Sequence, residues 1–124
     1  MNREIKFRAW HAGHKYAEPQ MLFDEKPGDC LVWLAQGQNI AQVMQYSGFK
    51  DRKGNDIYEG DFFTDTDDNY LWQIFFSDGC YYAASGSDTL MLQEFMDKSG
   101  SCDIEVIGNI YENPELLEDK SDVR

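Results

Sequence analysis

Basic residues are missing from the middle of this chain: between Lys53 and Lys98 there is neither lysine nor arginine. Such a stretch repels phosphate backbones, so the basic groove that nucleic-acid binding needs is excluded from it. Cysteine is scarce too. Cys30, Cys80 and Cys102 leave one thiol over in any disulfide scheme, which fits a reducing compartment better than a disulfide-stapled secreted domain. Long apolar runs are also lacking, and none approaches the ~20 residues of a membrane helix. The opening MNREIKFRAW alternates charged and apolar residues where a signal peptide would carry a continuous apolar core. The expectation is therefore a cytoplasmic chain with no membrane partner. Phosphate loops of the G-x-G-x-x-G and Walker types are absent, as is the G-x-S-x-G nucleophile elbow. No internal repeat, linker or low-complexity block interrupts the chain.

What is present is aromatic and acidic. Aromatics make up 15% of the 124 residues, a large apolar payload for one small folded unit with a subsidiary hairpin region. The formal charge of −12 is unevenly placed: residues 1–55 carry eight Lys/Arg against six Asp/Glu, net +2, and residues 56–124 carry three against seventeen, net −14. An acidic half of this kind attracts a basic partner through its summed field, or simply keeps the protein solvated.

The aromatic spacing follows a period of two, which means strands. EIKFRAW sets Ile5, Phe7 and Ala9 on one face and Lys6, Arg8 and Trp10 on the other. HAGHK reads as a turn. MLF at 21–23 and LVWL at 31–34 read as short strands separated by a Pro27–Gly28 turn, and QVMQYSGF alternates again. YLWQIFF places Tyr70, Trp72, Ile74 and Phe76 on one face and Leu71 and Phe75 on the other, as a strand covered on both sides requires; SDG turns the chain and CYYAA returns. SGSDTLMLQEFMDK has helical spacing at Leu90, Met91 and Phe95 with Ser87 or Asp88 as N-cap. DIEVIGNIY is the last strand, and in NPELLED Asn113 caps a final helical turn with Pro114 in its first position, Glu115 at the positive end of its dipole, and Leu116 and Leu117 docking inward.

Turn chemistry accounts for the charged stretch GFKDRKGNDIYEGDFF. Gly54 can take the left-handed conformation that closes a hairpin, and Asp51 and Asn55 can bond nearby amides. Gly60 permits a sharp bend at which Asp61 accepts backbone N–H groups, and Gly108 inside the last strand marks a bulge or close backbone crossing.

Chemical sites are harder to find. Asp65, Asp67 and Asn69 match the first ligand positions of a calcium loop, but its sixth and twelfth positions hold Tyr70 and Phe76. His11 and His14 lack a third ligand nearby, so a polar turn explains them better than zinc. No cofactor or metal is expected.

Three blocks in order, REIKFRAW, MQYSGFKDRKGNDIYEGDFF and EVIGNIYENPELL, together 41 of 124 residues, resemble the YopX family of phage and prophage proteins. The segments Ala12–Val43 and Thr64–Ile104 are not matched residue by residue. The resemblance implies an SH3-like β-barrel over 43–118, preceded by a smaller antiparallel β region over 1–42; the residues themselves add the expectation of a loose acidic tail, 119–124. The resemblance implies no catalytic residue. The barrel agrees with five strand candidates, QVMQY, DFFT, YLWQIFF, CYYAA and EVIGNIY, and with kink glycines at 60 and 108.

The expectation for function is a non-enzymatic accessory module, an acidic protein-interaction surface formed by Asp56, Glu59, Asp61, Asp65, Asp67, Asp68 and Asp78 that meets a basic host or phage protein. A narrower version is a DNA mimic that inhibits a basic host protein, which needs carboxylates lined up along one side. A different class is a small hydrolase with carboxylates gathered at a barrel mouth, which needs a deep pocket and two inward acids of shifted pKa. Direct nucleic-acid contact would have to run through Arg3, Lys6 and Arg8 or the Lys50, Arg52, Lys53 cluster. Charge complementarity between the two halves makes a homo-oligomer a further expectation.

Overall fold

The computed structural model describes residues 4–64, 70–95 and 104–117. Two compact units divide between Gly48 and Phe49. The units share the charge unequally: 1–48 carries five cations and five anions and is neutral, so the whole −12 lies on 49–124. The sheets in both are antiparallel and curled, and include a half-barrel.

In the first unit, β1 (Phe7–His11) is the central strand between β2 (Gln20–Phe23) and the first part of β3 (Ile40–Lys50). Ala9 faces Leu22 on one side and Val43 on the other, and the register slips between Trp10 and His11. Arg8, on the face that the alternation shares among Lys6, Arg8 and Trp10, is 5% exposed, while Ile5 before the strand is 49% exposed.

LVWL is not a strand. It lies in a helix, α1 (Asp29–Ala35), started by Gly28 in the left-handed region at φ 92°. Local carboxylates decide the outcome. Asp24 accepts N–H bonds from Gly28 (2.9 Å) and Cys30 (2.8 Å), and Asp29 accepts from Glu25 (3.0 Å) and Lys26 (2.8 Å). The bonds from Gly28 and Cys30 satisfy amides at the helix start, those from Glu25 and Lys26 fix the turn before it, and four apolar residues in a row carry no periodicity to oppose them. Asp24 also takes the Phe7 amide at 3.0 Å, so one side chain ties the helix to β1.

The second unit holds the end of β3 with β4 (Asp56–Tyr58) beside it, and a five-stranded sheet in the order β8–β7–β6–β5–β9. These strands are β5 (Asp61–Thr64), β6 (Leu71–Ser77), β7 (Cys80–Ser85), β8 (Asp88–Met91) and β9 (Glu105–Asn109). QVMQY, expected in this sheet, lies in β3 and pairs with β1 instead. Its place is taken by β8, which lies in the segment expected to be helical. The reason is Gly86, whose φ of 59° closes a tight hairpin that pairs Ser85 with Asp88 and Tyr82 with Met91. Only Leu92–Phe95 is helical, as a 3-10 turn, and Met96–Lys98 lie outside the described residues.

Ile57, Phe63, Trp72, Ile74, Ala83, Leu92 and Ile104 form the core of this unit, with Phe49, Tyr81, Phe95 and Val106 packed at its margin. Phe63 and Trp72 stack across β5 and β6 with centroids 6.3 Å apart, and Phe95 meets both edge-on at 5.1 and 5.2 Å. Truncating either buried ring costs about 3–5 kcal/mol.

Candidate functional site

The charged stretch that follows β3 folds into a turn held by one side chain. Asp51 is 5% exposed, and its carboxylate accepts the backbone amides of Lys53 (2.9 Å), Asn55 (2.9 Å) and Val106 (3.0 Å), with the Asn55 side-chain amide at 3.3 Å. Gly54, at φ 86°, donates its N–H to the Asp51 carbonyl at 2.9 Å, and Arg52 donates its own to Ile104 at 3.0 Å. Burial pushes the Asp51 pKa up. Hydrogen bonds from Val106, Asn55 and Lys53 outweigh it and hold the carboxyl below its ordinary value.

The same turn uses its cations. Arg52 and Lys53 converge on Glu105 at 2.7 and 3.0 Å, and Lys50 pairs with Asp56. Hydrogen bonds from Arg52 and Lys53 lower the Glu105 pKa. The basic cluster that the sequence offers for nucleic acid is thus engaged with carboxylates of its own unit.

Of the seven acids expected to form a contact face, Asp61 must be removed. It is 1% exposed, and its carboxylate holds the Tyr58 amide at 2.8 Å across the Gly60 bend. The bend puts Gly60 at φ 86°, its N–H on Ile74 at 2.8 Å and its carbonyl under the Ile110 amide at 3.0 Å. Asp56 is partnered as above. Glu59 is half-buried, and with burial as the larger cause it raises the pKa of Tyr111. Asp65, Asp67 and Asp68 lie outside the described residues. Asp78 is exposed in the β6–β7 turn at φ 51°. Asp88, not among the seven, is exposed at the opposite end of β7.

Gly108 is needed for space. A Cβ there would meet the Asn113 Oδ1 at 2.4 Å and its Cγ at 2.7 Å, because Asn113 folds back to accept the Asn109 amide at 3.2 Å. Asn113 therefore secures the end of β9, and its carbonyl, followed by that of Pro114, starts a short turn at Leu116 and Leu117. Leu116 is half-buried, but Leu117 is 43% exposed and does not dock inward.

His11, the last residue of β1, and His14 in the loop to β2 have ring centroids 6.0 Å apart. Each accepts a nearby amide through Nδ1, from Gly13 at 3.0 Å and Tyr16 at 3.1 Å, which is turn chemistry. The loop curls around an open pocket of about 540 Å³ lined only by residues 12–19. Among the described residues no three His, Cys, Asp or Glu side chains come together as a metal would require. Asp24, Asp51 and Glu105 each have a lowered pKa. They are anions fixed by donors, the opposite of a general acid held protonated near neutrality.

Sequence reasoning missed two features. One is the Cys30 thiol, buried under Phe7 and Leu22 carbonyls at 3.6 and 3.8 Å, whose pKa is pushed up to about 12 by burial and by Asp24. The other is a row on the face of the sheet away from the core, where Phe75 lies opposite Tyr82 and Tyr82 opposite Met91. The alternation of YLWQIFF and CYYAA contained that row, but only the register aligns it.

A family model described as YopX protein matches residues 6–118. No curated protein matches the chain. Among solved structures, the crystal structure of protein EF1440 from Enterococcus faecalis is similar, with a TM-score of 0.57 at 20% identity, covering 94% of this chain and 99% of that one. At that identity the likeness shows the fold alone.

Proposed function

The chain belongs to the YopX family, and from that premise we propose that it is a phage or prophage accessory protein that acts in the host cytoplasm, without catalysis, by binding a basic protein through its second unit. The supporting observation is the charge partition: a neutral unit over 1–48 is joined to one carrying −12 over 49–124. A field of that size raises the association rate and selects for cations. We read the curled five-stranded sheet as part of an SH3-like barrel, with the kink at Gly60 and the register shift between Phe62 and Phe63 turning its strands.

Asp78 and Asp88 lie at opposite ends of β7. That placement weighs against a DNA mimic and favours a partner that meets the sheet between them. The test is capture from host lysate on the immobilised protein at low and high salt. A host protein retained at low salt and released at high salt supports the reading, and one held equally at both removes its electrostatic basis.

A further inference from the structure

We propose that two copies of this chain pair antiparallel through the free edge of β2, continuing the sheet of the first unit across a two-fold axis. This contact is separate from the basic partner proposed for the second unit.

β2 is one margin of its sheet, with β1 on its inner side. Just past the end of β2, Asp24 donates its N–H to the Phe7 carbonyl at 3.1 Å. Antiparallel partners alternate between pairs that exchange backbone bonds and pairs that do not, so Leu22 opposite Ala9 and Gln20 opposite His11 turn their backbone groups inward. Met21 and Phe23 turn theirs outward. Among the described residues nothing bonds the outer N–H or C=O of Met21. Gln20 and Phe23, at the two ends of the strand, are exposed, Phe23 to 53%. An edge of this kind is a template for another strand.

Charge selects a second copy as that strand. The residues QMLF carry no charge and the unit that holds them, 1–48, is neutral, whereas the other sheet margins, β4, β8 and β9, belong to the unit carrying −12, where a second copy is repelled. A basic segment finds no carboxylate on QMLF to pair with. An identical segment finds apolar side chains.

Backbone chemistry then selects the register. If Met21 met its own counterpart, Phe23 would lie opposite Pro19 of the second copy, which has no N–H to give. If Phe23 met its counterpart, Met21 would lie opposite Glu25, whose N–H is already held by the Asp29 carboxylate at 3.0 Å. Setting Leu22 opposite Leu22 avoids both, and pairs Met21 of each copy with Phe23 of the other through outward backbone groups. The two Leu22 side chains then meet on the face shared with Ala9. On the opposite face each Met21 thioether lies beside a Phe23 ring of the other copy, a favourable contact for both.

Sedimentation equilibrium of the full chain at neutral pH tests the pairing, over rising protein concentration and at low and high salt. The average mass is expected to climb from that of one chain toward that of two, and salt is expected to strengthen the association because it screens the −12 units from each other. Binding of a basic partner responds to salt in the opposite sense. Met21→Pro removes an outward N–H and no bond to β1, so it is expected to keep the fold and weaken the dimer about tenfold. Phe23→Thr, at an exposed position that does not threaten folding, is expected to weaken it about tenfold as well. In the unaltered protein the Met21 and Phe23 amides should exchange with solvent more slowly as concentration rises. A chain that stays monomeric at about 1 mM in high salt, a dimer indifferent to both substitutions, or protection that arises at Thr89 and Met91 of β8 instead would overturn the proposal.

Discussion

Replacing Asp51 with alanine tests whether one carboxylate holds the 51–55 turn against β9. The side chain accepts bonds from the amides of Lys53, Asn55 and Val106 and from the Asn55 side chain. Lys53 and Asn55 are exposed, so their amides recover water when the carboxylate is removed, at about 0.5–1 kcal/mol each. Val106 is half-buried and loses a charged acceptor, worth about 1.5–2 kcal/mol. The expected loss is about 3 kcal/mol, a urea midpoint lowered by at least ~1 M, followed by the amide signals of Trp72 and Ile74 because these report the second unit. Asp51→Asn keeps one acceptor oxygen and should lose about half as much. Acid provides an independent check. Because the folded Asp51 pKa lies below the ordinary 3.8, its contribution is complete above that value and is lost as pH falls through the folded value. The gap between wild type and Asp51→Ala should thus be constant from neutrality down to about pH 4 and close below it. A loss under about 1 kcal/mol, or a gap indifferent to acid, would refute the reasoning.

Three further outcomes are expected. Gly108→Ala should destabilise the second unit by about 1–3 kcal/mol through its clash with Asn113, and adding Asn113→Ala should recover part of that loss; a double-mutant cycle with no coupling would show that the contact is not the cause. Cys30 should resist alkylation at pH 8 until urea unfolds the chain, while half-buried Cys80 reacts in the native protein, as mass spectrometry of labelled peptides would reveal. Gly13→Ala, with φ at +85° and a Cβ set 2.8 Å from the Ala17 carbonyl oxygen, should unsettle the His11–His14 loop and leave the exchange protection of Trp72 unaltered.

How much of this was legible in the sequence depended on the range of the interaction concerned. The strands at Phe7–His11, Leu71–Ser77 and Cys80–Ser85 follow from period-two alternation, and Gly54 and Gly60 do sit at left-handed positions. LVWL failed because its fate is set by Asp24 and Asp29, whose bonds to Gly28, Cys30, Glu25 and Lys26 override an apolar run with no period. The helix expected around Leu90 failed because Leu90 and Met91 alternate against Ala83 and Tyr82, and only Gly86 announced the hairpin. The acidic surface was legible as a total and misleading in detail. The turn chemistry around Gly54 and Gly60 did mark Asp51 and Asp61 as amide acceptors, but their burial, which takes Asp61 out of the contact face while Asp78 stays exposed, is set by position in the fold.

Both margins of the five-stranded sheet end on a carboxylate. At β9 the Val106 amide is taken by Asp51, and at β8 the Met91 amide, which the hairpin register turns outward, is taken by Glu94 at 2.8 Å. Open margins are what let sheets add strands from other molecules, and here a carboxylate guards each one. Souring the solution toward the chain's isoelectric point near 4.3 removes mutual repulsion just above the range in which Asp51 lets go of the β9 margin. Polymerisation of neighbouring sheets in mild acid is the hazard that this arrangement carries, and neutral, low-salt handling is the condition that avoids it.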